Sequence, residues 1–211
     1  MKEQIRLYEP IYAKRSAIIA DLPKFWPRVI EQVGYDIDRH ITEIDARLLD
    51  SLLDFKVSRH DPTEPRNFTI TLTFESNEYL QDTAITKVFS LKSAKDPTLQ
   101  STKSSIAWKP NNDLTAIQPG GAKSFFHFFD WTGEERKKEM TEYEELAITL
   151  VEDIWPNAIK YYTESFEEES EEDENAEIDL EADDDDDDEE LEEEEEEDEN
   201  QPPSKKRKNG V

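Results

Sequence analysis

The sequence predicts an α+β fold, in which helices pack on an antiparallel sheet of about four strands. Three observations indicate this class: an amphipathic helical pattern opens the chain, strand-like alternation follows, and a second helical pattern comes after it. The chain has 211 residues, and residues 1–163 hold all four Trp, all seven Tyr and nine of the ten Phe. We therefore expect one domain with a substantial core in this part of the chain.

The first helix is predicted over residues 2–22, where apolar residues recur at spacings of three and four. They form two adjoining seams, which are Ile5, Tyr8, Tyr12 and Ile19, and Leu7, Ile11, Ile18 and Leu22. Two seams are more than one flat contact requires. The helix either has a broad side facing its own core, or packs on its own domain and also on a partner chain. Pro10 disfavours a helix that begins at residue 2, because proline lacks an N–H donor and crowds the preceding turn.

Short helices are predicted between this helix and the sheet. Pro23 favours a helix start in "PKFWPRVIEQV", because proline is suited to a first helical turn. The segment "IDRHITEID", after Gly34, indicates another short helix. We assign residues 1–34 to the first helix and the short helix after it.

Strands are predicted wherever apolar and polar residues alternate. The first has Leu53, Phe55 and Val57 inward, and the clearest, "NFTITLTFES", has Phe68, Ile70, Leu72 and Phe74 inward. The third places Ile85, Phe89 and Leu91 inward, and "IAWK" is the predicted fourth. One polar side per strand is typical of an antiparallel sheet with one face exposed to water.

A late helix is predicted in "YEELAITLVEDIWPNAIKYYTESF". Its apolar residues are Leu146, Ile148, Leu150, Val151 and Ile154. The Trp155–Pro156 pair predicts a break, followed by one or two further helical turns.

No catalytic, cofactor or metal site is predicted, so we expect a protein that is not an enzyme. The chain has no cysteine, which excludes a disulfide scaffold, a thiolate zinc site and a cysteine nucleophile. His40, His60 and His127 lie in separate elements without ligand-like spacing, and His127, among four phenylalanines, is better explained by packing than by catalysis. No apolar run approaches the roughly 18 residues of a membrane span, and the N-terminus lacks a signal-peptide core, so no membrane partner is expected.

The charge is concentrated in the C-terminal part of the chain. The net charge is −28, and residues 164–199 hold 27 of the 53 acidic residues with no Lys or Arg. Such a segment repels itself and buries little apolar surface, so we predict a disordered acidic tail over residues 164–200. It would repel nucleic acid, and the expected partner is therefore strongly basic. The alternative is that the tail confers only solubility.

A short basic cluster follows the acidic tract, within residues 201–211. It consists of Lys205, Lys206, Arg207 and Lys208, preceded by "QPPS". Consecutive prolines disfavour helix and keep the cluster extended, which is typical of a nuclear import signal. The alternative is a chance cluster that only neutralises the tail.

Several motifs in fixed order resemble the nucleosome assembly protein family, most closely its SET-type branch. They are "EPIYAKRSAIIADLPKFW", "VFSLK", "IAWK", "SFFHFFDWTG" and "EDIWPNAIKYYTESFEEE", followed by an acidic tail. The resemblance spans residues 4–208, and some fungal members also end in a short Lys/Arg cluster. The ordered pair "SFF..FF.W" and "IWP...KYY" is the most specific part of it.

This resemblance implies a nuclear histone chaperone whose histone-binding "earmuff" domain, residues 35–163, is joined to a dimerisation helix over residues 2–22. Its partners would be core histones, a second copy of the chain and, for fungal members, a histone acetyltransferase. Stimulation of that acetyltransferase as a regulatory subunit is the alternative function. The implied dimerisation residues are Ile5, Leu7, Tyr8, Ile11, Tyr12, Ile18 and Ile19.

The implied histone-binding acids lie in the late helix and in the tail. They are Glu144, Glu145, Glu152, Asp153, Asp183, Asp184, Asp185, Asp186, Asp187, Asp188, Glu192, Glu193, Glu194 and Glu195. The four in the late helix are equally consistent with a solvated helix face.

Overall fold

The structure is a computed structural model of the whole chain, and it confirms the predicted α+β architecture. It describes residues 2–59, 64, 66–93, 95–96, 98–116, 121–134 and 138–167. These residues belong to one compact unit, Met1–Glu171.

The first helix, α1, spans Lys2–Ile19 and contains Pro10 in its interior. The expectation that Pro10 argues against a start at residue 2 was wrong. Proline at this position removes one N–H donor, so the carbonyl four residues earlier, that of Arg6, loses its usual helical partner. Both residues are exposed, and water can solvate that carbonyl. The helix ends three residues earlier than the predicted 22.

Three short helices connect α1 to the sheet, and they are α2 (Phe25–Val33), α3 (Tyr35–Asp38) and α4 (Glu43–Leu49). The prediction that Pro23 opens α2 was wrong. The helix begins at Phe25, Lys24 precedes it in a left-handed conformation with φ 57°, and Pro27 occupies its first turn. The segment predicted as one helix after Gly34 forms two. The break between them is fixed by Thr42, which caps α4 reciprocally with Asp45.

Asp45 is a fully buried carboxylate that holds two separate segments together. Its Oδ2 accepts hydrogen bonds from the Thr42 N–H (3.0 Å) and the Phe125 N–H (2.9 Å), and its Oδ1 accepts one from the Ser124 hydroxyl (2.5 Å). A buried carboxylate costs free energy unless such donors surround it. The Thr42-x-x-Asp45 spacing is a capping signal that the sequence displays, but the contact with residues 124–125 has no local signal.

The sheet is a four-stranded antiparallel meander in the order β1-β2-β3-β4. Its strands are β1 (Leu52–Ser58), β2 (Phe68–Phe74), β3 (Ala84–Leu91) and β4 (Leu99–Ser101). The predicted alternation of β2 is confirmed, because Phe68, Ile70, Leu72 and Phe74 are all buried.

Two strand predictions were wrong. Leu53 was expected inward, but it is 51% exposed, and Leu52 is buried instead. The cause is a register irregularity between Leu52 and Asp54, since one extra residue in a strand reverses the facing of the residues before it. The fourth strand is β4 rather than "IAWK", in which Trp108 forms only an isolated bridge with Leu80.

The core lies between the inner face of the sheet and the helices. A 3-10 helix, Phe125–Phe129, inserts four phenylalanines that are at most 3% exposed. Phe89 of β3 stacks on Phe128 with ring centroids 5.6 Å apart, and Phe128 lies 5.4 Å from Phe129. His127, the polar residue in this run, makes a 3.1 Å hydrogen bond between its ring Nδ1 and the Ser124 carbonyl. It is a packed residue, as the sequence predicts.

Lys87 occupies the middle of the inner face of β3 and is fully buried. Its Nζ donates to the carbonyls of Trp131 (2.6 Å), Phe129 (2.9 Å) and Thr102 (3.1 Å). Burial lowers its pKa to about 8, although the charge of Asp130 opposes this shift. The ammonium thereby ties β3 to two irregular segments that pass beside it.

The late helix is continuous but changes its winding. It comprises α5 (Lys138–Ile148), a π-helical segment (Thr149–Ile154) and a further helix, α6, over residues 155–167. The predicted break at Trp155–Pro156 is therefore a wide π turn immediately before α6. The predicted tail boundary at 164 falls inside α6, where Ser165 is buried and Phe166 contacts Tyr162 with centroids 5.1 Å apart.

Candidate functional site

Glu144 and Glu145 of the late helix have different roles within the domain. Glu144 is half-buried, and its Oε1 accepts a 3.1 Å hydrogen bond from the Leu99 N–H of β4. Glu145 is exposed, and its Oε2 lies 3.6 Å from Nη2 of Arg39, a long surface ion pair. An exposed pair of this kind is worth about 0–1 kcal/mol, so Glu145 remains available to a competing cation, whereas Glu144 is engaged by the sheet.

Glu152 and Asp153 lie in the π-helical segment that follows α5. Glu152 accepts a 2.6 Å hydrogen bond from Arg59 and is still 56% exposed. Asp153 accepts from the Asn157 amide (2.7 Å) and from the Tyr161 hydroxyl (2.8 Å). Burial and this bond to Asp153 raise the pKa of Tyr161 to about 12. Of the four predicted acids, Glu145 and Glu152 are thus the ones that present a largely exposed carboxylate.

The predicted binding residues of the tail lie outside the described residues. These are the acids of 183–188 and 192–195 and the basic cluster of 205–208. Their roles stay predictions.

The predicted dimerisation residues divide between two sides of α1. Leu7, Tyr8, Ile11 and Ile18 are exposed by 59, 44, 56 and 68%. Ile19 is buried in the core, and Tyr12 packs on Trp155 with centroids 4.1 Å apart. The side chain of Ile5 is outside the described part of the structure. One side of α1 therefore packs on its own domain, and the side that carries Leu7, Ile11 and Ile18 is open.

Arg15 attaches α1 to the rest of the domain, a role that was not predicted from the sequence. Its guanidinium is enclosed by the rings of Tyr12 and Trp155, at 4.7 and 4.8 Å from their centroids. Its Nη1 donates to the carbonyls of Trp155 (2.6 Å) and Pro156 (3.3 Å). The side chain is 7% exposed, and burial lowers its pKa. A lone arginine in an amphipathic helix gives no local signal of such a contact.

The two edges of the sheet differ in how they are covered. At the β4 edge, the Leu99 N–H donates to Glu144 and the Ser101 N–H donates to the Thr132 carbonyl (3.0 Å). Gly133 permits this approach, because a Cβ there would lie 2.7 Å from the Leu99 carbonyl oxygen. At the opposite edge, β1 has backbone pairing with β2 alone among the described residues.

A groove of about 470 Å³ lies between α1 and β1. Its α1 side is formed by Glu9, Tyr12, Ala13 and Ser16, and its β1 side by Asp54, Lys56, Val57, Ser58 and Arg59, with Trp155 alongside. Burial raises the pKa of Asp54. The groove therefore combines a free strand edge with aromatic and charged side chains.

A second cavity, of about 780 Å³, lies beside α4 and has mixed charge. Arg39, Arg47 and Lys123 line it together with Glu43 and Glu142. His40 also lines it, and burial, followed by the charge of Arg39, lowers the pKa of His40. The Arg39 Nε donates to His40 Nε2 at 3.1 Å, an arrangement that fits a neutral imidazole.

Neither a metal site nor a membrane span is found where the structure is described. No group of three or more His, Cys, Asp or Glu residues there is placed to hold a metal ion. The described helices also include none with the length and apolarity to cross a membrane.

Comparison with known proteins identifies the family. A profile of the family "Nucleosome assembly protein (NAP)" matches residues 19–118. A putative nucleosome assembly protein of Schizosaccharomyces pombe is 38% identical over 195 residues, covering 87% of this chain and 79% of that protein. The chain belongs to the nucleosome assembly protein family. Vacuolar protein sorting-associated protein 75 of Saccharomyces cerevisiae is 29% identical, with the same two coverages, 87 and 79%.

Solved structures of the family share this fold. A crystal structure of a Ccp1 mutant superposes with a TM-score of 0.72 at 34% identity, covering 81% of this chain and 88% of that one. The crystal structure of the Vps75 histone chaperone superposes with a TM-score of 0.67 at 28% identity, covering 79 and 87%. The recognition of the family from ordered motifs is therefore confirmed, as is the α+β fold.

Proposed function

We propose that this protein is a histone chaperone that binds basic core histones and transfers them during nucleosome assembly. The observation that carries the proposal is the likeness, across most of both chains, to the Vps75 histone chaperone. The charge distribution supports it, since 27 of 53 acidic residues lie in one stretch of 36 residues. A dense array of carboxylates offers histones what the phosphates of DNA otherwise provide.

Within the folded part, we assign histone contact to Glu145 and Glu152 in preference to Glu144 and Asp153. The first two are exposed, and within the described ranges each pairs with one arginine, Glu145 with Arg39 at 3.6 Å and Glu152 with Arg59 at 2.6 Å. A histone lysine or arginine can exchange with Arg39 at little cost, because both partners of that long pair are exposed. The Arg59 side chain is only 15% exposed, so Glu152 would accept a histone cation at its exposed side without releasing Arg59. Glu144 would have to release the edge of β4, and Asp153 would have to release Tyr161.

Removal of residues 172–211 is the first test. We expect the remaining unit to stay folded, because its core residues all precede this segment. Histone affinity should fall by at least about tenfold, and the dependence of the dissociation constant on salt should become shallower, because fewer charges take part. The measurements are fluorescence titrations with a purified histone pair at several salt concentrations, with circular dichroism as the check on folding.

A variant of full length is the matched control for that deletion. Its Asp and Glu residues between 172 and 199 are replaced by Asn and Gln, so that length is kept and charge removed. It should match the deletion in both affinity and salt dependence. Binding equal to that of the unmodified protein in both variants would contradict a histone-binding role for the tail.

We also propose that the protein acts as a homodimer through α1. The support is the open apolar side of this helix, formed by Leu7, Ile11 and Ile18. Such a strip of exposed apolar side chains on a helix already packed on one side is typical of an interface.

We assign nuclear import to the cluster Lys205–Lys208. Replacing Lys205, Lys206 and Arg207 by Ala in a fluorescent fusion of the full chain should shift the protein toward the cytoplasm. The nuclear-to-cytoplasmic fluorescence ratio in living cells measures this shift. An unchanged ratio would mean that another segment, or bound cargo, carries the protein into the nucleus.

A further inference from the structure

We propose that the free edge of β1, together with the groove between β1 and α1, binds an extended basic peptide by strand addition. This inference rests on the proposed function and gives it a site: an extended histone segment would pair with β1 while the acidic tail acts elsewhere on the same histone. The site borders Glu152 of the late helix, which pairs with Arg59 of the groove lining, and it is separate from the open side of α1.

The two edges of the sheet are covered unequally. A side-chain carboxylate, a backbone carbonyl and the close approach of Gly133 occupy the β4 edge. Along β1, the described residues supply no second strand. An exposed edge presents N–H and C=O groups that add an extended chain readily, and proteins commonly protect such edges. The register of β1 with β2 is regular from Asp54 to Ser58, so this stretch keeps strand geometry at its outer side.

The surface beside the β1 edge has the shape of a groove. The groove runs along β1 and is bounded by α1 on its far side, with a volume of about 470 Å³. Such a volume suits several side chains of a bound segment. Tyr12 and Trp155, which pack on each other at 4.1 Å, line the groove and offer aromatic surface to the stems of lysine or arginine.

The charges that line the groove favour a basic ligand. Glu9 and Asp54 line the groove and have no ion pair among the described residues, while Arg59 is already paired with Glu152 at 2.6 Å. Asp54 is partly removed from water, which makes a cation beside it favourable. Lys56 also faces the groove, and it opposes pairing of β1 with a second β1 in the register that places the two lysines opposite each other. Glu9 and Asp54, the second of which already feels the charges of Lys56 and Arg15, thus fit a basic peptide better than a second copy of the strand.

The open side of α1 does not compete with this site. Glu9 and Ser16, seven residues apart, lie on the side of α1 that faces β1, whereas Leu7, Ile11 and Ile18 lie about half a turn away. A dimer formed through those apolar residues would leave the groove free.

The test is amide hydrogen exchange of the full-length protein with a synthetic Lys/Arg-rich peptide of about 12 residues. It is performed at about 0.3 M salt, which weakens contacts with the exposed tail. We expect exchange within residues 54–58 to slow by about tenfold when the peptide is bound. Peptide binding without a change in exchange of β1 would overturn the proposal.

A backbone-modified peptide separates strand addition from simple charge attraction. N-methylation at alternate residues keeps every charge and removes the N–H groups that a strand pair requires. If the peptide binds by strand addition, the N-methylated form should bind at least about tenfold more weakly than the unmodified form. It should also leave the amide exchange of β1 unchanged. Equal affinity of the two peptides would contradict the proposal, as would protection of β1 by an acidic peptide of the same length.

Two variants of α1 locate the site from the other side of the groove. Glu9→Lys and Ser16→Trp, the second of which fills the groove, should each weaken the unmodified peptide by about fivefold or more. Asp21→Lys is the matched control, because Asp21 is exposed and lies outside the groove. Equal weakening by all three variants would count against the groove.

Binding of an intact histone pair is measured in parallel. If the histone pair binds but amide exchange of β1 does not slow, the edge site is wrong, whereas the proposed chaperone function is still supported. If the protein binds no histone pair at all, the proposed function itself fails.

Discussion

Replacing Lys87 with methionine is expected to lower the free energy of unfolding by about 2 kcal/mol at pH 7. Methionine approximates the volume of the lysine stem but supplies no donor to the three carbonyls that Nζ contacts. The loss is moderate because two of these carbonyls have other donors: the Ser104 N–H reaches Phe129 at 2.9 Å, and the Ser101 hydroxyl reaches Trp131 at 2.5 Å. The Thr102 carbonyl would lose the one side-chain donor that the structure shows for it.

The same substitution should change how stability depends on pH. The pKa of Lys87 is lowered from 10.5 to about 8 in the folded protein, so between these values the unfolded chain binds more protons than the folded one. The contribution of Lys87 to stability therefore rises as pH increases through this window, by on the order of 3 kcal/mol if the group titrates independently. The difference between the unmodified protein and Lys87→Met should widen from pH 7 to pH 10.

Urea denaturation at a series of pH values measures both effects. Lys92→Met is the control, since Lys92 is exposed at the end of β3 and makes a long surface pair with Asp96 at 3.7 Å. It should change stability by less than about 0.5 kcal/mol at any pH. Parallel stability curves for the protein and for Lys87→Met would show that the buried ammonium does not contribute in this way.

Changing Leu7 and Ile11 to aspartate is expected to convert a dimer into a folded monomer. Both side chains are more than half exposed within one chain, so the fold should be unaffected. At a two-fold symmetric interface each change occurs twice, and burying carboxylates in place of apolar groups should raise the dimer dissociation constant by at least about 100-fold. Light scattering coupled to size-exclusion chromatography gives the mass, and circular dichroism reports the fold.

Two further variants distinguish the sides of α1. Ala17→Asp, an exposed position outside the apolar strip, should leave the dimer intact. Ile19→Asp should destabilise the domain itself, because Ile19 is 6% exposed in its own core. A monomeric mass for the unmodified protein at micromolar concentration would rule out α1 as a strong self-association surface.

The sequence predicted those features of the fold that have a local cause. The alternation of β2 and the helical spacing of α1 are visible in single segments, and both are present in the structure. Leu53 was misplaced because a register irregularity shifts the facing of residues without leaving a mark in the composition. Pro10 was expected to disfavour a helix start at residue 2, and Trp155–Pro156 was predicted as a break. Instead α1 contains Pro10 in its interior, and a π turn continues the late helix into Pro156.

The binding surface was less predictable than the fold, because its charges depend on partners distant in sequence. Glu144 and Glu145 are neighbours, yet one is engaged by β4 and the other by an exposed arginine. Lys87 was overlooked because lysine usually marks a solvent-facing position, although its place between Ile85 and Phe89 follows the inward period of the strand. Arg15 and Asp45 likewise owe their roles to residues about 140 and 80 positions away.

The π turn before Trp155 determines how α6 is rotated about its own axis. In a regular α-helix each residue turns the chain by about 100°, so a chain one residue shorter in this segment would rotate α6 by about that angle. Trp155 would then swing away from Tyr12 and Arg15, and Ala158 and Ser165 would leave the interior. The number of residues between α5 and α6 therefore sets the rotation of α6 about its axis. Because Trp155 contacts Tyr12 and Arg15, that number also sets the position at which α1 packs on the domain.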